Sequence, residues 1–187
     1  MLTADSMLLY DPPPRPPWYL RPALWVARRV TGKDPMPARM LAHAPKAAIA
    51  GGLLEALAAH GPGDLETRTL KLARLAASVA TGCPFCVDMN AAGHDDAGVS
   101  RKEIEALLDG ADVQGLTDRE RAAIAFARAL SVTPIVVDGA LRDAMREHFS
   151  AREGVVLAST VAQVNYWARL NQGLGIPAAG FFEGCAT

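Results

Sequence analysis

The chain has 187 residues, half of them apolar and 21% charged. That is enough apolar surface for one folded domain of roughly 150 residues with an attached arm, and it excludes global disorder. Nineteen Lys and Arg stand against 20 Asp and Glu, a formal charge of -1, so no long-range positive field exists to hold a phosphate backbone or an anionic membrane, and neither is an expected partner.

Residues 1–40 read as an N-terminal arm. It opens without a basic cluster followed by an apolar run and instead carries Asp11-Pro12-Pro13-Pro14-Arg15-Pro16-Pro17, which is no secretory signal and leaves a cytoplasmic, reducing location as the expectation. Trp18, Tyr19 and Trp25 are aromatics that a free tail would not retain, so the arm is expected to pack on its own body or on a neighbouring subunit. In the body, residues 41–187, the most apolar run is Ala47 to Ala59, shorter than the roughly 20 residues of a membrane span and interrupted by Glu55.

The punctuation of the body is helical throughout, with no period-2 strand and no Asn-Gly or Asp-Gly hairpin, which predicts an all-α fold. Leu65 to Ala80 reads as a Leu/Ala-rich helix closed by Gly82, and a second helix is expected from Pro84 to Ala97. Ser100 with Glu103, Thr117 with Glu120, and Ser150 with Glu153 have the spacing of capping boxes, each marking a helix start. The helix after Thr117 carries Ala123, Phe126, Ala127 and Leu130 on one face and ends near Val132-Thr133-Pro134, because proline disfavours helical geometry in the residue before it. Asp138 is the expected N-cap of a short helix with Leu141, Met145 and Phe149. Ala151 to Gln172 is apolar on more than one side, as in a helix that is central or shared with another subunit.

Three cysteines are too few for a disulfide scaffold, but two of them form Cys83-Pro84-Phe85-Cys86, a spacing associated with redox chemistry or metal binding. Proline is favoured at the first helical position, so Cys83 is the predicted N-cap and Cys86 lies in the first turn. Free N–H groups and the positive end of the helix dipole there favour a thiolate, lowering the cysteine pKa from about 8.5. Two sulfurs so placed also come within bonding distance, giving an attacking thiolate its own resolving partner. Structural zinc, with His94 or Cys185 as further ligands, is the weaker reading because no second closely spaced pair is present. No metal and no cofactor are expected.

Cys86, Asn90 and His94 would share one face of a helix over 84–97, with Asn90 best placed to touch Cys86, while Phe85 and Met89 would face the core. His94 would lie about 12 Å along the axis from Cys86, too far to be its base, and reads as a solvated surface histidine. Asp88, about 160° around the helix from Cys86, either lies beside Cys83 or pairs with an arginine. Lys71, Arg74 and Ser78 form a polar stripe that either faces solvent or faces the cysteines. In the second case Lys71 or Arg74 would stabilise a thiolate and Ser78 would orient a bound peroxide.

The run from Leu70 through Gly82-Cys83-Pro84-Phe85-Cys86 to Asn90, then Ala97-Gly98-Val99-Ser100, resembles the AhpD-like alkylhydroperoxidase and carboxymuconolactone decarboxylase family. Leu116 to Ala123, Asn165 to Asn171 and His43-Ala44-Pro45 are similar to further family segments, so the resemblance covers about residues 41–177. It implies an AhpD-like helical bundle that forms homo-oligomers. It also implies a dithiol that reduces a hydroperoxide or disulfide substrate, or relays electrons to a partner such as a peroxiredoxin, recharged by a lipoyl group or another thiol donor. Cys86 matches the cysteine that meets peroxide and Cys83 the one that resolves it. The family's proton-relay glutamate and histidine are replaced by Lys71, twelve residues before Cys83, and Asn90, four residues after Cys86; neither is a general base near neutral pH. The alternatives are a cofactor-free decarboxylase-like enzyme, which would not need paired thiols, and a non-catalytic oligomer or redox sensor that retains the fold. Cys185 has no helical context to argue from.

Overall fold

A computed structural model describes residues 8–182. Among these residues there are nine α-helices and no strand: α1 (Arg21–Thr31), α2 (Met36–Leu41), α3 (Pro45–Ala58), α4 (Thr67–Thr81), α5 (Pro84–Ala91), α6 (Arg101–Leu108), α7 (Asp118–Ser131), α8 (Gly139–His148) and α9 (Ala151–Gly173). The all-α expectation is met, and none of these helices is long and apolar enough to cross a membrane.

The centre of the fold is α4, packed against both α7 and α9, with α5 and α6 on its remaining sides. Its sequence accounts for that position. Leu72, Ala73, Leu75, Ala76 and Ala77 are all inaccessible, so the helix is apolar on several sides, and its alanines let neighbouring helices approach closely. Leu70, Ile104, Leu107, Leu157 and Val161 complete the surrounding core. Three capping boxes start α6, α7 and α9, at Ser100, Thr117 and Ser150. The Asp138 side chain accepts from the Leu141 amide at the start of α8.

Two arginines fasten the helices at their ends. Arg68 of α4 donates from Nε to Glu120 of α7 at 2.6 Å and from Nη2 to Glu103 of α6 at 2.5 Å. Arg119 of α7 reaches Glu153 of α9 at 2.5 Å, and its guanidinium lies over the Phe149 ring at 4.1 Å.

One boundary differs from the sequence reading. The helix predicted over 84–97 stops at Ala91; Ala92 is extended and Gly93 takes a left-handed φ of 61°. The Lys71 ammonium donates to the Ala92 carbonyl and so closes this helix end. His94 therefore leaves the face that carries Cys86. Nor is it a solvated surface residue: Nδ1 donates to the Val99 carbonyl at 2.7 Å and the ring packs edge-on against Phe182. Met89, expected in the core, is 39% exposed.

The arm meets the body in part. Leu8 and Met36 pack into the apolar cluster around Cys83, Cys86 and Met40. The Leu9 amide donates to the Leu174 carbonyl, and His43 Nε2 donates to the Asp11 carbonyl. Trp18 and Trp25, in contrast, are 78% and 68% exposed.

Candidate active site

Gly82, at φ 65°, closes α4 in the left-handed conformation and turns the chain directly into α5. Cys83 is the N-cap of α5, Pro84 is its first residue, and the Cys83 sulfur accepts from the Cys86 amide at 3.2 Å. The two sulfurs are joined as a disulfide across a Cα–Cα distance of 5.3 Å, within the span that such a bridge requires. Both cysteines are buried, but they are not equivalent. Cys86 forms part of the wall of an open cavity of about 450 Å³, and Cys83 lies behind it.

That cavity is mostly apolar. Phe85 and Met89 of α5, Val164 and Trp167 of α9, and Phe181 near the C-terminus form much of its wall. Its size falls within the range of small-molecule sites, roughly 300–1,000 Å³.

Phe181 is held in place by a carboxylate. Asp88 is completely buried, and its Oδ2 accepts from the amides of Ala179 at 2.8 Å and Phe181 at 3.1 Å while Oδ1 accepts from Phe182 at 2.8 Å. The Asp88 carboxylate is therefore taken up by backbone amides and not by an arginine; it ties the segment 179–182 to the helix that carries the dithiol. The Phe181 ring then meets Phe85 edge-on at 6.0 Å.

The polar stripe of α4 faces α5 and the cavity rather than solvent, but its members divide. Lys71 serves the α5 terminus, as described. Burial, together with repulsion from Arg74, lowers its proton affinity below that of an ordinary lysine. Ser78 is fully buried and committed, donating to the Arg74 carbonyl at 2.8 Å and accepting from Asn90 Nδ2 at 3.0 Å. Arg74 reaches the cavity wall. Asn90 also reaches it, but its amide contacts the Cys86 carbonyl, at 3.0 Å, and not the sulfur.

The side chain that touches the Cys86 sulfur is Asn171 of α9, whose Nδ2 donates to it at 3.7 Å. Asn171 is 1% exposed, and its Oδ1 has no hydrogen-bond partner. The sequence reading did not single this residue out. A signal was present nevertheless: Gln163, Trp167 and Asn171 recur at i, i+4 and i+8 on α9, a polar and aromatic stripe on an otherwise apolar helix, and all three line the cavity. No group of three or more His, Cys, Asp or Glu among the described residues could hold a metal ion.

Comparison with known proteins places this arrangement in context. The profile of the carboxymuconolactone decarboxylase family matches residues 47–129. The chain is 33% identical over 168 residues to the uncharacterized protein YnjA of Escherichia coli strain K12, covering 88% of this chain and 90% of YnjA. Among solved structures, it superposes with a TM-score of 0.77 on an alkylhydroperoxidase AhpD core, an uncharacterized peroxidase-related protein of Ralstonia eutropha JMP134, at 22% identity over 97% of each chain. It superposes with a TM-score of 0.78 on the debrominase Bmp8 in complex with 2,3,4-tribromopyrrole, at 22% identity over 92% of each chain. At that identity these two structures share the fold.

Proposed function

The chain belongs to the AhpD-like, carboxymuconolactone decarboxylase family, and from that premise we propose that it is a thiol-dependent oxidoreductase that cycles Cys83 and Cys86 between dithiol and disulfide while reducing an organic hydroperoxide. The observation that carries this reading is the asymmetry of the pair: the sulfurs are within bonding reach, and of the two only Cys86 borders a substrate-sized cavity.

In the reduced state the Cys86 thiolate is favoured by the positive end of the α5 dipole and by the Asn171 amide, while the Cys86 backbone amide donates to the Cys83 sulfur. It attacks the terminal peroxide oxygen and the O–O bond breaks. The alkoxide leaves and takes a proton to become the alcohol, and Cys86 becomes a sulfenic acid. The Cys83 thiolate then attacks the Cys86 sulfur and expels hydroxide, which is protonated to water. The sum is ROOH plus two thiols giving ROH, water and one disulfide, with two electrons passing from sulfur to oxygen. A lipoyl group or another dithiol restores the pair by exchange. Lys71 and Asn90 replace the family's relay acid and base, so protons come from solvent through the open cavity and turnover is slower than in relay-bearing members.

A second reading is favoured by the aromatic lining of the cavity, which suits a flat ring. The same dithiol could reduce an aryl bromide, giving the arene, bromide, a proton and the disulfide. The exposed apolar faces of α1 (Trp25, Val26, Val30) and α3 (Ile49, Leu53, Leu57) support assembly into a homo-oligomer.

The test is consumption of cumene hydroperoxide with dithiothreitol or dihydrolipoamide as donor. Wild type should turn over repeatedly and Cys86→Ser should be inactive; in the absence of any thiol donor, Cys83→Ser should consume one equivalent and carry a sulfenic acid on Cys86. Activity retained in Cys86→Ser would refute the proposal. Bromide release from 2,3,4-tribromopyrrole without hydroperoxide consumption would select the second reading.

A further inference from the structure

The cavity beside Cys86 carries a charge that electron transfer between sulfur and oxygen does not require. Arg74 stands in its wall, mostly buried, with Nη2 donating to the His60 carbonyl at 2.6 Å. That partner is neutral, and none of the ion pairs among the described residues includes Arg74. Burial works against its charge, and the exposed Glu55 carboxylate offsets this only from beyond ion-pair distance. Glu55 and Asp34 line the same cavity, but Glu55 stays beyond ion-pair distance and Asp34 is paired with Arg39; the guanidinium of Arg74 thus has no contact counter-ion, and an anion brought against it recovers part of the cost of its burial.

A second unmet group points the same way. Asn171 Oδ1 is a buried acceptor without a donor, on the amide whose Nδ2 lies 3.7 Å from the Cys86 sulfur. A hydroperoxide O–O–H is a donor of the required kind, and at that amide it would stand next to the sulfur that attacks it. Phe85, Met89, Val164, Trp167 and Phe181 give the same cavity an apolar and aromatic surface.

We propose that the cavity selects an organic hydroperoxide that also carries a carboxylate: Arg74 binds the carboxylate, the apolar wall holds the body of the molecule, and Asn171 Oδ1 accepts from the hydroperoxide group beside Cys86. The proposal rests on the thiol-oxidoreductase reading for its chemistry but not for its binding contacts. The planar, permanently charged guanidinium suits a carboxylate, which it can engage through two parallel N–H donors.

Two measurements on the full chain test it. In the first, the disulfide form, which cannot turn over, is titrated calorimetrically with 1-naphthoate and with its neutral counterpart 1-naphthamide. The carboxylate should bind wild type about tenfold more tightly than the amide, Arg74→Lys should keep that preference, and Arg74→Gln should abolish it. Equal binding of the two probes, no binding of 1-naphthoate, or a preference that survives Arg74→Gln would overturn the proposal.

In the second, kcat/KM is compared for cumene hydroperoxide and its para-carboxylate. Arg74→Gln should lower the value for the carboxylated substrate about tenfold and leave the neutral one within about twofold. Equal loss on both substrates would mean that Arg74 serves the thiolate instead, and would overturn the proposal. Because the first measurement needs no catalysis, failure of the sulfur chemistry and failure of the anion site give different results.

Discussion

Asp88 offers a stringent test of how the cavity is built. Replacing it with Asn keeps the shape of the side chain but leaves a single carbonyl oxygen where a carboxylate now accepts three backbone amides. If that oxygen takes the Oδ2 position, the bonds to Ala179 and Phe181 become neutral ones and the Phe182 amide faces an NH2 group. Hydrogen bonds to charged groups are worth roughly 1.5–3 kcal/mol each and neutral ones about 1, so at the lower end of that range one bond lost and two weakened amount to about 3 kcal/mol. The loss appears in one of two forms. If the segment 179–182 stays coupled to the fold, the midpoint of thermal unfolding falls by about 6–12 °C, at roughly 2–4 °C per kcal/mol for a chain of this size. If the segment detaches locally, its amides lose hydrogen-exchange protection while the global midpoint changes little, and the cavity loses Phe181 from its wall. Urea unfolding with hydrogen exchange read by mass spectrometry covers both cases. An Asp88→Asn protein within about 0.5 kcal/mol of wild type, with residues 179–182 equally protected, would refute the argument.

Other expectations concern the rest of the site and its supports. Asn171→Leu removes the donor to the Cys86 sulfur; alkylation of the reduced protein by iodoacetamide at neutral pH should slow about tenfold, by the worth of one hydrogen bond to a charged group, and an unchanged rate would remove Asn171 from the account. Glu103, held by the Arg68 guanidinium, has its pKa lowered from 4.5 to about 2. A lowered folded-state pKa contributes stability that is present above the unfolded value and is lost as pH falls from 4.5 towards 2. Urea midpoints between pH 6 and 3 should therefore drop more in wild type than in Glu103→Gln, and parallel profiles would contradict this. Gly51 packs so closely against Trp167 that an added Cβ would lie 3.2 Å from the Trp167 Cη2 atom. Gly51→Leu should displace the indole into the cavity and weaken binding of 1-naphthoate more than it weakens overall stability, which calorimetry and urea unfolding can compare.

Much of this arrangement was legible in the sequence because it is specified by neighbouring residues. The N-cap role of Cys83 follows from Pro84 beside it, the three capping boxes need only a hydroxyl and a glutamate three residues apart, and Gly82 and Asp138 act within a single turn. What was not legible depends on contacts distant along the chain. Asp88 looked like a partner for a thiol or an arginine because nothing near it in sequence announces the amides of residues 179–182, more than 90 positions later. Asn171 lies 85 residues from the sulfur it touches. The end of α5 was misplaced because a left-handed glycine and a lysine from another helix terminate it, whereas the local sequence permits a longer helix. Arg74 and Ser78 share a stripe, yet one lines a cavity and the other is consumed by its neighbours. That distinction is set by the packing of α4 against α5 and α9 and not by periodicity.

The central claim is that Cys83 and Cys86 together deliver two electrons to a hydroperoxide held beside Cys86. It is tested most directly by mixing fully reduced protein with one equivalent of cumene hydroperoxide and analysing the products by mass spectrometry. The account predicts one molecule of alcohol per chain, loss of two thiols, and a peptide in which Cys83 is linked to Cys86. Both cysteines still present as thiols with the hydroperoxide intact would contradict it.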